Sequence, residues 1–375
     1  MIELKSFFKN LESNDVNFYT GVPDSLLASL SAYMFDNYPA NKHIIASNEG
    51  AAVGLASGYH LATGLVPVVY MQNSGIGNAV NPLLSLADED VYKIPMILFV
   101  GWRGEPGVKD EPQHVKQGKV SKDLFDAMQI PSDVLSTDTK EANNQVSKAL
   151  ACCKENSSPY VFLVKKETFE TYKLTAKDPV NTYPEREEAI EKVVEMIEQD
   201  SVVVSTTGKI SRELFEIREK HNTGHEKDFL TVGSMGHASQ IAMGIAMHSS
   251  KKVYCFDGDG AIIMHTGSFG IIAAADCKNL KHIVFNNGSH DSVGGQPTVG
   301  FDIDFGQIAK GFGYKESFFA DSHESLNSIL PQFIASEGPA ILEIRVKKGA
   351  RNELGRPTTT PVENKLSLMN FLKND

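Results

Sequence analysis

Val253-Tyr254-Cys255-Phe256-Asp257-Gly258-Asp259-Gly260, followed after twenty-five residues by Asn286-Asn287, decides how this chain is read. Val253 to Phe256 and His282 to Phe285 are short, continuous apolar runs of the kind that strands buried on both faces require. The stretch between them is long enough for a helical crossover, so the two runs are expected to lie parallel in one sheet. An aspartate between glycines ends the first run and a pair of asparagines ends the second. Ends of neighbouring parallel strands are where open α/β sheets bind ligands. A carboxylate, an amide and a main-chain carbonyl brought together there suit a hard cation such as Mg²⁺, which prefers oxygen ligands and shares its shell with phosphate.

Working outward, the same alternation of apolar run and helical pattern fills the rest of the chain. In the first half the runs are Asn17 to Thr20, His43 to Ile45, Val66 to Met71, Ile94 to Val100 and Tyr160 to Val164, with a helical pattern at Gly50 to Leu61. In the second half they are Val202 to Ser205, Phe229 to Val232, Val253 to Phe256, His282 to Phe285 and Ala340 to Val346. Alternation of this kind predicts α/β architecture with mainly parallel sheets flanked by helices. A polar, proline-bearing stretch from Thr175 to Glu188 interrupts the pattern and reads as a linker, which sets two domains of similar size at residues 1–178 and 186–375. The tail from Gly349 turns helical near Asn364 to Leu372 and carries Arg351 and Arg356.

The 375 residues are 41% hydrophobic and 22% charged, ordinary values for a globular protein, and the formal net charge is −11. That charge disfavours nucleic acid and anionic membrane as partners, because either needs a basic face. An anionic substrate would therefore have to meet local cations. The four cysteines (Cys152, Cys153, Cys255 and Cys277) form no Cys-x-x-Cys pattern, which argues against a disulfide framework or a zinc cluster. The N-terminus lacks the apolar core of a signal peptide and no run approaches a membrane span, so a cytoplasmic location is expected.

Gly258-Asp259-Gly260 with Asn286-Asn287 resembles the cofactor motif of the thiamin-diphosphate-dependent enzymes. The resemblance implies thiamin diphosphate held through Mg²⁺, with Asp259, Asn287 and the main-chain oxygen of Ser289 as metal ligands. It implies a first domain that binds the pyrimidine and a second that binds the diphosphate. It assigns Glu49, which opens the small-residue run Gly50 to Ala56, as the acid that protonates the aminopyrimidine. Taken alone, a glutamate at that position reads as helix capping. Gly233-Ser234-Met235-Gly236 resembles the segment that bends the cofactor, with Met235 between the rings and the Gly233 carbonyl on the amino group. Asn73 and Ser74 would neighbour the pyrimidine.

Thr206-Thr207-Gly208-Lys209 hints at a P-loop but lacks its first glycine, so nucleotide hydrolysis is disfavoured, while the turn at Gly208 can still offer backbone N–H groups to a diphosphate. Gly75-Ile76-Gly77-Asn78 lacks the third glycine of a dinucleotide fingerprint, which weakens a dinucleotide-dependent oxidoreductase as the reading.

Two further stretches are unusual: Thr20 to Ser25, and Gly101 to His114, where Arg103, Lys109, Gln113 and His114 share a loop shaped by glycine and proline. With these, nearly the whole chain resembles the short 2-oxo acid decarboxylases of the thiamin-diphosphate family, which lack a middle domain. The resemblance implies a small anionic 2-oxo acid substrate, phosphonopyruvate, decarboxylated to phosphonoacetaldehyde in phosphonate biosynthesis, with sulfopyruvate as the alternative. Arg103 and Lys109 are candidates for the anionic tail, joined by Ser25, Gln113, His290 and Arg351. Asp24, His114 or His290 would supply the proton that completes the reaction. A homo-oligomer with active sites between subunits is also implied. A non-catalytic homologue that binds the cofactor would be expected to lack Glu49, which is present.

Overall fold

The computed structural model describes residues 1–175 and 181–373. Ala176 to Val180, within the expected linker, lie outside the described residues. The chain forms two compact units, Met1–Lys177 with Val293–Gln296, and Asp178–Ser292 with Pro297–Asp375.

The first unit is built on six strands: β1 (Tyr19–Gly21), β2 (His43–Ile45), β3 (Val68–Gln72), β4 (Ile97–Gly101), β5 (Ser132–Val134) and β6 (Tyr160–Val164). They lie in the order β2-β1-β3-β4-β6-β5, and every pairing is parallel. The second unit repeats the design with β7 (Val202–Ser205), β8 (Asp228–Leu230), β9 (Val253–Gly258), β10 (Leu280–Asn286), β11 (Glu316–Ala320) and β12 (Ala340–Arg345). Their order is β11-β12-β10-β9-β7-β8, again all parallel. Two helix-flanked parallel sheets are what the alternation of apolar runs predicts.

Successive side chains along a strand face opposite sides of the sheet, and both sides are buried here. Tyr70, Ile97, Phe99 and Phe162 pack on one face of the first sheet, while Val69, Met71, Leu98 and Leu163 pack on the other. In the second sheet Tyr254, Phe256, Ile283 and Phe285 take one face, and Val253, Cys255 and Val284 the other. Continuous apolar sequence is the direct result. The two strands that the apolar pattern does not reveal, β5 and β11, sit at sheet edges, and their residues are mostly exposed or half-buried. Among the described residues, no helix is long and apolar enough to cross a membrane. All four cysteines are free thiols.

This strand order places a topological switch point in each sheet. The chain leaves β1 for β2 on one side and then crosses to β3 on the other. It leaves β7 for β8 and crosses back to β9. The carboxyl ends of β1 and β3, and of β7 and β9, are therefore the crevices where a ligand is expected.

Candidate active site

In the second unit the crevice holds the motif. Asp259 opens a short helix (Asp259–Met264) directly after β9 and is buried. Its carboxylate accepts the Thr298 hydroxyl proton and backbone amides including those of Asn287 and Gly260. Burial nevertheless pushes its pKa up to about 6, because desolvation outweighs those hydrogen bonds. Asn286 is spent on structure, donating to the Gly300 carbonyl at 2.6 Å and to Glu343 Oε1 at 2.8 Å. Asn287, the second of the pair, accepts the Ser289 amide at 3.0 Å on its Oδ1, and among the described residues no other bond to that oxygen is seen, so a lone pair can serve a cation.

The donor set fits a hard divalent ion: one buried carboxylate, one amide oxygen and the main-chain oxygen of Ser289, a residue whose backbone lies in an antiparallel bridge with Pro297. Side chains crowd the backbone beside it. A Cβ on Gly260 would come within 3.3 Å of both Met235 Cε and His290 Nδ1, so these two side chains lean over bare backbone. Met235 lies between Ser234 and Gly236, both at positive φ, which presents its side chain from a sharp turn. Gly233 precedes that turn, and Gly258 closes β9. Gly208 precedes the Lys209–His221 helix at the end of β7, beside Ser292. Its neighbour Lys209 reaches Asp291 at 3.1 Å, and Arg186 reaches the same carboxylate at 3.2 Å, which ties the loop after the asparagines to this helix start. Burial pushes the His290 pKa down to about 4.

In the first unit Glu49 is the first residue of the Glu49–Thr63 helix and is buried. Asn48 caps the helix, accepting the Ala51 amide at 2.9 Å, so Glu49 is not needed as a cap. Asn78 Nδ2 donates to Glu49 Oε2 at 2.7 Å. Gly75 leaves room for the carboxylate, since a Cβ there would fall 2.4 Å from Glu49 Oε1. Glu49 is thus a buried carboxylate with Asn78 on one oxygen and a glycine making room for the other.

Asp24 lies just past β1 and is fully buried. It spans the switch point by accepting Gln72 Nε2, from the end of β3, at 2.5 Å, while Leu26 N donates to its other oxygen at 3.0 Å. Ser74 donates to Gln72 Oε1 at 2.8 Å and so steers that amide. Burial raises the Asp24 pKa, against lowering by Gln72, Leu26 and Arg103. Arg103 follows β4, its guanidinium bound to Asp110 and, at 2.8 Å, to Ser25 Oγ. His114, in the first turn of the Pro112–Ala127 helix, is buried, and desolvation together with Arg103 lowers its pKa.

The remaining candidates are placed differently. Asn73 binds the Arg103 carbonyl at 2.8 Å, the Arg103 amide at 3.2 Å and Ser121 Oγ at 2.9 Å, which engages both ends of its amide. Lys109 is exposed and Gln113 half-buried. Arg351, in the second unit, is held by Glu187 at 2.9 Å and by Glu216. Asp110 and Thr298, and the contacts of Gly75 and Asn78 with Glu49, escape sequence reasoning, because each works through a contact that only the folded chain creates.

Residues 4–130 match the thiamine pyrophosphate enzyme N-terminal TPP binding domain, and residues 206–344 match the C-terminal TPP binding domain of the same enzymes. The chain belongs to the thiamin-diphosphate-dependent decarboxylase family. It is 33% identical to a phosphonopyruvate decarboxylase of Streptomyces viridochromogenes, over 97% of this chain and 93% of that protein. A phosphonopyruvate decarboxylase of Streptomyces hygroscopicus is 31% identical over 97% and 92% of the two chains. A sulfopyruvate decarboxylase of Methanosarcina acetivorans is 25% identical over 91% and 90%.

Proposed function

We propose that the protein decarboxylates phosphonopyruvate to phosphonoacetaldehyde and carbon dioxide, using thiamin diphosphate and Mg²⁺, as a step in phosphonate biosynthesis. The observation that carries the substrate reading is Arg103, fixed at the end of β4 next to the first sheet's switch point, beside Ser25 and near buried Asp24. A cation in that place suits a 2-oxo acid with a charged tail. Opposite charges about 4 Å apart interact by roughly 4 kcal/mol at an effective dielectric of 20, enough to separate such a substrate from pyruvate. Full-length similarity to two phosphonopyruvate decarboxylases supports the same reading.

Asp259, Asn287 and the Ser289 carbonyl would hold the metal and through it the diphosphate, with the Gly208 turn offering backbone N–H groups. Met235 and Gly233 would back the rings, and Glu49 would engage the aminopyrimidine. Bound there, the cofactor supplies the sink for the electron pair released as carbon dioxide leaves. The chain's own groups then divide the proton work. Glu49 would exchange a proton with the aminopyrimidine. Of the three candidate donors to the product carbon, His114 and His290 have lowered pKa values and are neutral at pH 7, which makes them poor acids. Asp24, whose pKa burial raises, is the third candidate. Self-association, with each site completed by two subunits, belongs to the same proposal.

The test is reconstitution with thiamin diphosphate and Mg²⁺, followed by kcat/KM for phosphonopyruvate, sulfopyruvate and pyruvate. The expected order places phosphonopyruvate first. A preference for sulfopyruvate would move the substrate to the sulfonate, consistent with the Methanosarcina acetivorans relative. A preference for pyruvate would overturn the role of Arg103 and leave the cofactor site standing.

A further inference from the structure

We infer that Asp110 is a positioning residue that aims the Arg103 guanidinium and thereby sets selectivity for an anionic tail. The inference rests on the reading of Arg103 as the tail-binding cation. An unrestrained arginine spreads over many rotamers, and a single charge on such a stem discriminates poorly. Arg103 is not free. Its Nε donates to Asp110 Oδ2 at 2.8 Å and its Nη2 donates to Asp110 Oδ1. Asp110 is itself pinned, since Gly104 N donates to Oδ2 and Glu111 N to Oδ1, each at 2.8 Å. Each carboxylate oxygen thus takes one guanidinium N–H and one backbone N–H. Asn73 fixes the Arg103 backbone at its carbonyl and its amide. Trp102 Nε1 donates to the Gly118 carbonyl at 2.8 Å and anchors the same loop to the Pro112–Ala127 helix.

A guanidinium has five N–H donors. Asp110 takes two of them and Ser25 takes a third at 2.8 Å, which leaves one N–H on Nη1 and one on Nη2. Two donors from one rigid fork can meet two oxygens of a phosphonate together. Lys109, immediately before Asp110, is exposed and makes no ion pair among the described residues, so it lacks such aim.

Charge alone makes the opposite prediction. Asp110→Asn removes a negative charge next to Arg103, so simple electrostatics has the variant bind a doubly charged tail more tightly. Positioning has it bind more weakly, because the fork loses its anchor. The experiment measures KM and kcat of wild type, Asp110→Asn and Asp110→Glu on phosphonopyruvate and pyruvate. For Asp110→Asn we expect KM for phosphonopyruvate to rise tenfold or more, with kcat within threefold and pyruvate turnover unchanged. Asp110→Glu, which keeps a carboxylate, should recover part of the loss. An unchanged or lowered KM overturns the inference, as does an equal loss on pyruvate in both variants, which would mark a general loop defect. A wild-type preference for pyruvate is a different failure: it overturns the substrate reading and this inference with it.

Discussion

The two sheets share a topology of six parallel strands with one switch point, yet the carboxylates at their crevices are treated in opposite ways. Asp259 is wrapped by backbone amides and the Thr298 hydroxyl, a setting that fixes its oxygens in place for a cation. Among the described residues Glu49 has one side-chain partner, Asn78, and its carboxylate lies against Gly75, where any side chain would collide with it. Under the proposed function a carboxylate that holds a metal is immobilised by many donors, whereas one that exchanges a proton has fewer. That proposal gives grip to the second unit and acid–base work to the first.

The strongest way to break that contrast is Glu49→Gln. The amide keeps the shape and the contact with Asn78 but cannot exchange a proton, so turnover should fall by ~10²–10⁴-fold. Near-normal rates in a correctly folded variant would remove Glu49 from the chemistry. Chelation comes next. With free thiamin diphosphate at 100 times its Kd, binding stabilises the native state by about 2.7 kcal/mol, a rise in Tm of roughly 5–10 °C for a unit of this size. Addition of EDTA should abolish that rise, and a Tm indifferent to EDTA would show that the grip at Asp259 does not depend on a metal.

The smallest effect concerns Asp24. Its pKa is raised in the folded state, so the native protein binds this proton more tightly than the unfolded chain does. Its contribution to stability is therefore full at pH values below the ordinary carboxylate range and is lost as pH rises through the elevated folded value. Asp24→Asn should consequently gain Tm relative to wild type at pH 8, with the gap closing as pH is lowered. A gap that widens on acidification would mean that Arg103 and Gln72 outweigh burial at this carboxylate.

How much of this was legible beforehand follows from where the information lies in the chain. β3, β4, β9 and β10 declare themselves because strands buried on both faces must be apolar throughout, whereas β5 and β11 have exposed edges and no such pattern. Asp259 and Asn287 stand out because glycines and strand ends flank them locally. Thr298 reaches Asp259 across 39 residues and Asn78 reaches Glu49 across 29, and no local signal marks either contact. Asp110 stood in full view as one more charge in a charged loop, and only the geometry separates it from Lys109 and Glu111. Asn73, which the resemblance makes a neighbour of the pyrimidine, also holds the Arg103 loop through Arg103 and Ser121, contacts with no local signal.

The most direct test of the division between grip and chemistry is a calorimetric titration of thiamin diphosphate with Mg²⁺ into Glu49→Gln and Asp259→Ala proteins side by side. The predicted result is binding by Glu49→Gln with affinity close to wild type and no measurable heat with Asp259→Ala. Binding retained by Asp259→Ala, or lost only in Glu49→Gln, would contradict it.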